Sequence, residues 1–377
     1  MNLPNTVEDI YFRPRDLGQI EAVLIKRMPG PIVQASDLEG DRAGQALLML
    51  FKSLLDMLRR RYGFTDQIRL CLVGAACPVQ NACAFRAGGA YHIALPYELV
   101  SHLYFQAELV VVCEPFQTAF DLDPAVVQIT GGNARTFPRI NGLPAIEHTP
   151  LAMMLGRAFG EGMVLSVLLH ELGHILNGHL GMMGGVGQAL EEQAALDNPD
   201  LRVTRQTLEF DADCFAAVQT LDMFAHGYGI PPLLAPLCSS RDVATRIGVA
   251  VVNLMFRSFD TGGAWTPDAL VTASSHPPAR MRSALAREVL AAAVCRALGV
   301  TPESAALNYL LPPMLAIEES QLFISHETEW VSTLEAQSHD AALYLSRVLR
   351  RWARIRPRLT QYKIGSQGLA PASMDPD

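Results

Sequence analysis

Two histidines four residues apart, His170 and His174, lie within a long apolar stretch, and Glu171 directly follows the first of them. On an α-helix four residues correspond to about 400° of rotation, so both imidazoles leave the same face one turn apart. The opposite face carries valine, leucine and isoleucine, which would anchor the helix in a core. The pattern His-Glu-x-x-His therefore predicts a buried helix over residues 160–180 that presents two nitrogen ligands on one side.

This spacing is typical of a zinc site. Two imidazole nitrogens on one helical face can both reach a Zn²⁺ ion at about 2.0–2.1 Å. Glu171 lies beside the first ligand, where its carboxylate can hydrogen-bond a water at the metal and accept its proton. The alternative interpretation is a pair of core histidines without a metal. Chance places the motif in roughly one chain per hundred of this length, so the sequence favours the metal site.

A zinc site needs a third protein ligand, and its position distinguishes the classes of zinc peptidase. The metzincin pattern requires a glycine at position 177 and a His or Asp at position 180, where this chain has Asn177 and Leu180. His179 would lie about 140° around a continuous helix from His174. We therefore expect His179 to be a helix-end or core histidine and not a ligand.

A better third ligand lies in a second predicted helix, residues 204–226. Its segment EFDAD begins with Glu209 and ends with Asp213, so these two carboxylates share one helical face. Apolar neighbours on the helix argue against a solvated glutamate. A second helix that presents a glutamate to a histidine pair is the gluzincin arrangement. We therefore expect His170, His174 and Glu209 to hold zinc, with Asp213 accepting an imidazole N–H and fixing its tautomer.

These motifs resemble those of the gluzincin peptidases of the HtpX and CAAX prenyl protease type. In that family His-Glu-x-x-His is followed by Glu-x-x-x-Asp, and then by a His-Pro pair with an arginine behind it. The first two are described above, and the segment SHPPARMR, residues 275–282, is similar to the third. Arg282 stands six residues after His276, as in the family. The resemblance covers roughly residues 45–300.

A fourth likeness lies upstream of the zinc helix. The segments NACAF, residues 81–85, and YHIAL, residues 91–95, flank a glycine-rich turn and are similar to the family's Asn-Ala-Phe-Ala hairpin. The resemblance implies that this hairpin supplies an edge strand beside the catalytic helix. We expect a protein or peptide substrate to add to the strand Tyr91–Leu95 by backbone hydrogen bonds.

The resemblance implies a zinc metalloendopeptidase, a hydrolase that cleaves peptide bonds of a cytosolic protein. Glu171 would act as general base toward the water and then donate the proton to the leaving amine. His276 and Arg282 would stabilise the oxyanion or the substrate carbonyl; alternatively, the Pro-Pro pair after His276 simply starts a helix. A similarity to Lit-type phage-exclusion peptidases is confined to the zinc helix.

The chain departs from the membrane members of this family, which carry hydrophobic helices between the zinc helix and the glutamate helix. It has no unbroken apolar window of about 18 residues, so no transmembrane helix is predicted. The first residues show no apolar run behind a basic start, so no secretory signal is predicted. Seven scattered cysteines without a Cys-x-x-Cys pair indicate reduced thiols. We therefore expect a cytoplasmic protein.

Helical periodicity dominates the chain, with strand-length apolar runs at 68–73 and in the hairpin at 81–95. We expect an α+β fold: a zincin-like core, mostly helical, with a small and mostly antiparallel sheet flanking the zinc helix. The expected divisions are an N-terminal extension at 1–42, a catalytic domain at 43–300 with an insertion near 116–150, a helical extension at 301–364 and a disordered tail at 365–377. The loop 116–150 and the glycine-rich joint 181–187 are expected to be mobile borders of the cleft.

Composition limits the partners. Half of the residues are apolar, which excludes disorder of the whole chain. A net charge of −8 argues against a nucleic-acid partner. Residues 347–363, with seven basic residues and no acidic one, are expected to form a solvated helix face or to contact an acidic partner. Two further functions stay open: a catalytically silent scaffold or regulator, and a metallohydrolase of a non-peptide amide.

Overall fold

The structure of the chain is a computed structural model. It describes residues 10–25, 28, 30–74, 81–120, 135–136, 147–148, 150–184, 198–228, 230, 234–259, 277, 279–325 and 338–370. His276 lies outside these residues, as do most of the predicted insertion near 116–150 and the end of the predicted joint, 185–187.

Helices make up most of the described chain. The α-helices are α1 (Leu17–Leu24), α2 (Arg42–Tyr62), α3 (Tyr97–Val111), α4 (Glu114–Ala119), α5 (Pro150–Leu176), α6 (His179–Met182), α7 (Pro199–His226), α8 (Arg241–Ser258), α9 (Ala279–Leu298), α10 (Pro302–Ala305), α11 (Leu311–Ser325) and α12 (His339–Leu359). A π-helical turn, Ala306–Leu310, joins α10 to α11. Short 3₁₀ turns cover Pro14–Asp16, Ala35–Glu39 and Ala235–Leu237.

Local sequence signals explain where the predicted helices begin and end. The Asp41 side chain accepts a hydrogen bond from the Ala43 N–H, which caps α2, and Gly63 follows its last turn. Its buried side chains recur at helical spacing: Leu47, Leu48, Phe51, Leu54, Leu55 and Leu58. The helices predicted at 43–62, 160–180 and 204–226 are therefore confirmed in substance, although the second is broken before His179.

The three longer strands form one small sheet: β1 (Ile68–Val73), β2 (Cys83–Ala87) and β3 (Ala90–Pro96), in the order β1-β3-β2. β3 runs parallel to β1 and antiparallel to β2. The α+β class is confirmed, but the sheet is mixed and not mostly antiparallel. A two-residue ladder also pairs β4 (Arg135–Thr136) with β5 (Glu147–His148).

The predicted edge strand is the wrong strand of the hairpin. Tyr91–Leu95 belongs to β3, which lies in the middle of the sheet and uses both of its edges for pairing. β2 is an edge strand in the described part of the chain, while β1 receives isolated bridges from Tyr11 and Ile32. The sequence indicates that two strands pair across a tight turn, but not which of them also pairs with β1.

The hydrophobic core crosses the expected boundaries near residues 42 and 300. One cluster of buried apolar side chains extends from Ile10 to Ile317 and includes the sheet, α2, α3, α5 and α8. A second cluster surrounds Trp352 and joins α7, α9 and α12. Across the residues that the structure describes, no helix is both long and apolar enough to cross a membrane.

Two segments expected to be loop or tail are ordered. Residues 116–119 belong to α4, and Phe116 is fully buried against Phe159 of α5. At the other end, the tail expected to be disordered from Gly365 packs on the body as far as Ala370, and Gln367 is only 2% exposed. Both segments are held by side chains distant in sequence, which local composition does not show.

Candidate metal centre

The zinc-motif helix α5 and the acidic helix α7 pack very closely at Gly173. A Cβ atom at this position would lie 3.2 Å from Ala212 Cα and 3.3 Å from Phe215 Cβ, closer than most side-chain contacts. The glycine within the His-Glu-x-x-His motif therefore permits the two helices to approach. This approach brings the carboxylate of α7 to the imidazoles of α5.

His170, His174 and Glu209 form one cluster, as the sequence predicted. The two Nε2 atoms of the histidines are 3.1 Å apart. Each oxygen of Glu209 lies near one histidine: Oε2 is 3.2 Å from His170 Nε2, and Oε1 is 3.4 Å from His174 Nε2. The three residues belong to two helices that only tertiary packing brings together.

These separations suit a small divalent cation. Ligands at about 2.05 Å in tetrahedral arrangement are about 3.3 Å apart, because the separation is twice that length times the sine of half the tetrahedral angle. The distance between the two Nε2 atoms, 3.1 Å, and the distance from each Nε2 to its nearer Glu209 oxygen, 3.2 and 3.4 Å, lie close to this value; the two histidines contact different oxygens of Glu209. Two imidazole nitrogens and a carboxylate are also a donor set that a metal such as zinc accepts.

The charge around His170 favours a cation at the same point. Its Nδ1 lies 2.9 Å from Asp213 Oδ1, which is the partner that the sequence predicted. Burial lowers the pKa of His170, but the contacts with Asp213 and Glu209 outweigh burial and raise the pKa to about 10. The carboxylates thus stabilise positive charge where the ligand nitrogen meets the cluster.

Arg282 forms a bidentate ion pair with Asp213. Its Nε and Nη2 donate to the two Asp213 oxygens at 2.8 and 2.7 Å, and both side chains are buried. Burial raises the pKa of Asp213, but the guanidinium outweighs it and the pKa is lowered. Two of the three guanidinium nitrogens thus bind Asp213, and the action of Arg282 on the oxyanion or the substrate carbonyl stays a prediction. Its spacing from His276 could not reveal the acid opposite it.

His174 has a support that the sequence analysis missed. Its Nδ1 lies 2.9 Å from Nδ1 of His179, whose Nε2 lies 2.9 Å from Asp211 Oδ2. His179 reaches this position because α5 ends at Leu176 and the chain turns through Gly178, where φ is +84°, before α6 begins. Burial lowers the pKa of His179 by more than Asp211 raises it. The helix-stop signal Asn-Gly at 177–178 could have revealed this break.

Glu171 faces a small cavity beside the cluster. The cavity has a volume of about 30 Å³, which suffices for a water molecule. Its lining consists of Asn81, Ala82, Val167, His170, Glu171, Met255, Phe259 and Arg282. This cavity therefore brings together Glu171, His170 and Arg282 with Asn81 and Ala82, the two residues that precede β2. Residues 181–184, the described part of the predicted mobile joint, do not line this cavity, and Gly181 packs against Tyr362.

Comparisons with protein-family models, curated proteins and solved structures find no match to this chain. The chemistry of the cluster therefore rests on its own geometry.

The arginines of the basic segment 347–363 lie on α12, and four of them, Arg347, Arg350, Arg354 and Arg358, are exposed. Arg347, Arg350, Arg351 and Arg354 line a cavity of about 250 Å³ with Asp200 and Val203. Arg351 donates to Thr204 Oγ1 and to the Asp200 carbonyl, so it holds α12 on α7. Asp200 and Glu209 lie nine residues apart on α7, about half a turn in direction, so this cavity is on the side of α7 away from the metal cluster. Contact with an acidic partner stays a prediction.

Proposed function

We propose that the cluster holds Zn²⁺ and that the protein is a zinc-dependent endopeptidase with a zincin-like core of the gluzincin type. The observation that carries this proposal is the convergence of His170, His174 and Glu209 at 3.1–3.4 Å, with Glu171 on the adjoining cavity. Glu171 lies beside the cluster without being one of its three residues, which is the position that a general base toward water requires.

The chain's own groups would perform the proton transfers. Zinc held by His170, His174 and Glu209 would supply Lewis acidity toward a water and the scissile carbonyl. Glu171 accepts the proton of the attacking water and delivers it to the leaving amine. Its position one residue after His170 keeps the carboxylate next to the ligand set without joining it. Only 6% of Glu171 is exposed, so little bulk water competes for the proton.

Asp213 and Arg282 hold the first ligand in place. Asp213 Oδ1 lies 2.9 Å from His170 Nδ1, so its negative charge favours a proton on that nitrogen and leaves Nε2 as the ligating atom. Arg282 in turn fixes both oxygens of Asp213. Arg282 also lines the cavity, and its contribution to oxyanion stabilisation stays a prediction, as does that of His276, which lies outside the described residues.

The substrate site that we propose lies along β2. Asn81 and Ala82 line the cavity next to Glu171, and β2 begins at the next residue. β2 pairs with β3 on one side, so an extended peptide can add to its other side by backbone hydrogen bonds. We therefore propose β2, and not the strand 91–95, as the strand to which the substrate adds. A substrate that binds in this way would be a peptide and not another amide. A cytosolic protein as substrate, and a cytoplasmic location, stay predictions.

The catalytically silent regulator is the second candidate. It would keep the ligands but has no need of a base at position 171, so the presence of Glu171 on the cavity argues against it.

Metal content and proteolysis test the proposal together. Purified protein should contain about one zinc per chain, and Glu209→Ala should lose it because the cluster then has two ligands. Glu319→Ala, an exposed glutamate on α11, is the matched control and should retain zinc. The zinc-loaded protein should cleave an unfolded protein substrate, and chelation should stop cleavage. Zinc binding without any cleavage would favour the regulator.

A further inference from the structure

A buried carboxylate stands behind the second ligand. Asp211 and His179 are both fully buried. Asp211 accepts three hydrogen bonds: from His179 Nε2 at 2.9 Å, from Asn177 Nδ2 at 2.6 Å and from the Ala370 backbone N–H at 2.7 Å. Asn177 lies in the turn after α5, His179 is the first residue of α6, and Ala370 lies in the segment that follows α12.

The hydrogen-bonding roles of His174, His179 and Asp211 determine the tautomer of each histidine when His174 binds a metal. His174 can ligate through Nε2 only if that nitrogen carries a lone pair, so its proton is on Nδ1. An N···N contact needs one donor and one acceptor, so the Nδ1 atom of His179 accepts from His174. The proton of His179 is then on Nε2 and is donated to Asp211, which as a carboxylate can only accept.

The last described segment, residues 362–370, packs directly on this support; we name it the carboxyl-terminal strap. After α12 the Ile364 N–H donates to the Leu176 carbonyl at 3.1 Å, and Gln367 Nε2 donates to Asn177 Oδ1 at 3.1 Å. A Cβ at Gly178 would lie 2.5 Å from the Tyr362 carbonyl carbon, so the turn and the strap leave no gap. The strap therefore covers the whole turn between α5 and α6.

The strap is also fixed from its other side. The Ala370 carbonyl accepts from Trp352 Nε1 at 3.3 Å and from Arg356 Nε at 3.0 Å, while the Ala370 N–H reaches Asp211. The two backbone groups of one residue, Ala370, thus connect α12 to the Asp211 carboxylate.

We propose that the strap is part of the metal centre: through Ala370 and Asp211 it orients His179, and His179 fixes the ligating tautomer of His174. His179 and Asp211 are positioning residues, since neither lies among the three ligand residues. The inference rests on the metal site of the proposed function, but not on peptidase activity. It implies that lifting the strap weakens metal binding, so the ordering of residues 362–370 controls occupancy of the site.

Two single substitutions in the full-length protein test this. Asp211→Asn is nearly isosteric, but its amide cannot accept all three donors. Ala370→Pro removes one N–H and leaves Asp211 intact; Ala370→Ser retains the N–H and is its control. Zinc affinity would be measured by competition with a chromophoric chelator, and the ligand environment by the absorption spectrum of the Co²⁺-substituted protein. Loss of an outer partner typically weakens metal binding about 10–100-fold.

The expected result is a loss of at least about tenfold in zinc affinity and an altered Co²⁺ spectrum for Asp211→Asn and Ala370→Pro, with Ala370→Ser unchanged. Thermal unfolding of the metal-free proteins separates loss of fold from loss of the site; if Asp211→Asn does not fold, Ala370→Pro decides. Affinities within about twofold of wild type in the folded variants would overturn the inference and leave the proposed function intact. A wild-type protein that binds neither Zn²⁺ nor Co²⁺ would overturn both.

Discussion

Replacing Arg282 by methionine removes the cation from a buried charge pair. The substitution keeps the aliphatic part of the side chain and removes the guanidinium carbon, which lies 5.5 Å from the ring centre of Phe256 and 5.8 Å from that of Phe259. It removes two hydrogen bonds, of 2.7 and 2.8 Å, to an Asp213 that is 1% exposed. Hydrogen bonds to charged groups contribute about 1.5–3 kcal/mol each, which gives about 3–6 kcal/mol. Breaking a buried ion pair costs about 3–5 kcal/mol, so the two estimates agree.

We therefore expect Arg282→Met to lower the free energy of unfolding by about 3–5 kcal/mol, measured by urea denaturation of the metal-free protein. Arg354→Met, on the exposed face of α12, is the control and should stay within about 0.5 kcal/mol of wild type. Zinc affinity should also fall, because Asp213 no longer holds His170 in one orientation. A stability loss below about 1 kcal/mol would show that Arg282 and Asp213 do not form a buried, bidentate ion pair.

Glu171→Gln should retain zinc and lose more than about 10⁴-fold in turnover at matched metal occupancy, because the amide cannot accept the water's proton; wild-type turnover would exclude this site as the catalytic one. Burial raises the pKa of Asp222, but Tyr228 and Arg61 outweigh it and lower the pKa, so the carboxylate contributes stability above about pH 4 that is lost as the pH falls. Asp222→Asn should therefore flatten the acid side of a pH-stability curve, and an unchanged curve would contradict this. Reversing two exposed arginines, Arg347→Glu with Arg354→Glu, should weaken binding of an acidic peptide at least tenfold in low salt, measured by fluorescence anisotropy; equal binding would leave α12 as a solvated face.

Short-range patterns in the sequence were sufficient to predict the main helices and most residues of the candidate metal site. Residues spaced three and four apart share a helical face whatever surrounds the helix, so the ligand pair on α5 and the Glu209–Asp213 pair on α7 could be recognised locally. The N-cap at Asp41 and the stop at Gly63 are equally local, because a cap uses hydrogen-bonding groups within one turn.

Contacts between distant segments were not recoverable in this way. Arg282 meets Asp213 from 69 residues away, and Ala370 meets Asp211 from 159 residues away. The same limit applies to the sheet, where pairing with β1 turned the expected edge strand into the central one.

The sequence alone thus determined which residues can ligate a metal, because donor chemistry and helical periodicity are properties of a short segment. The tertiary structure decided that His170, His174 and Glu209 converge, which strand lies in the middle of the sheet and which groups contact each imidazole. These outcomes depend on how buried polar groups find partners. A buried donor or acceptor left without a partner costs about 1–3 kcal/mol, so residues far apart in the chain must satisfy one another, and no local pattern predicts their pairing.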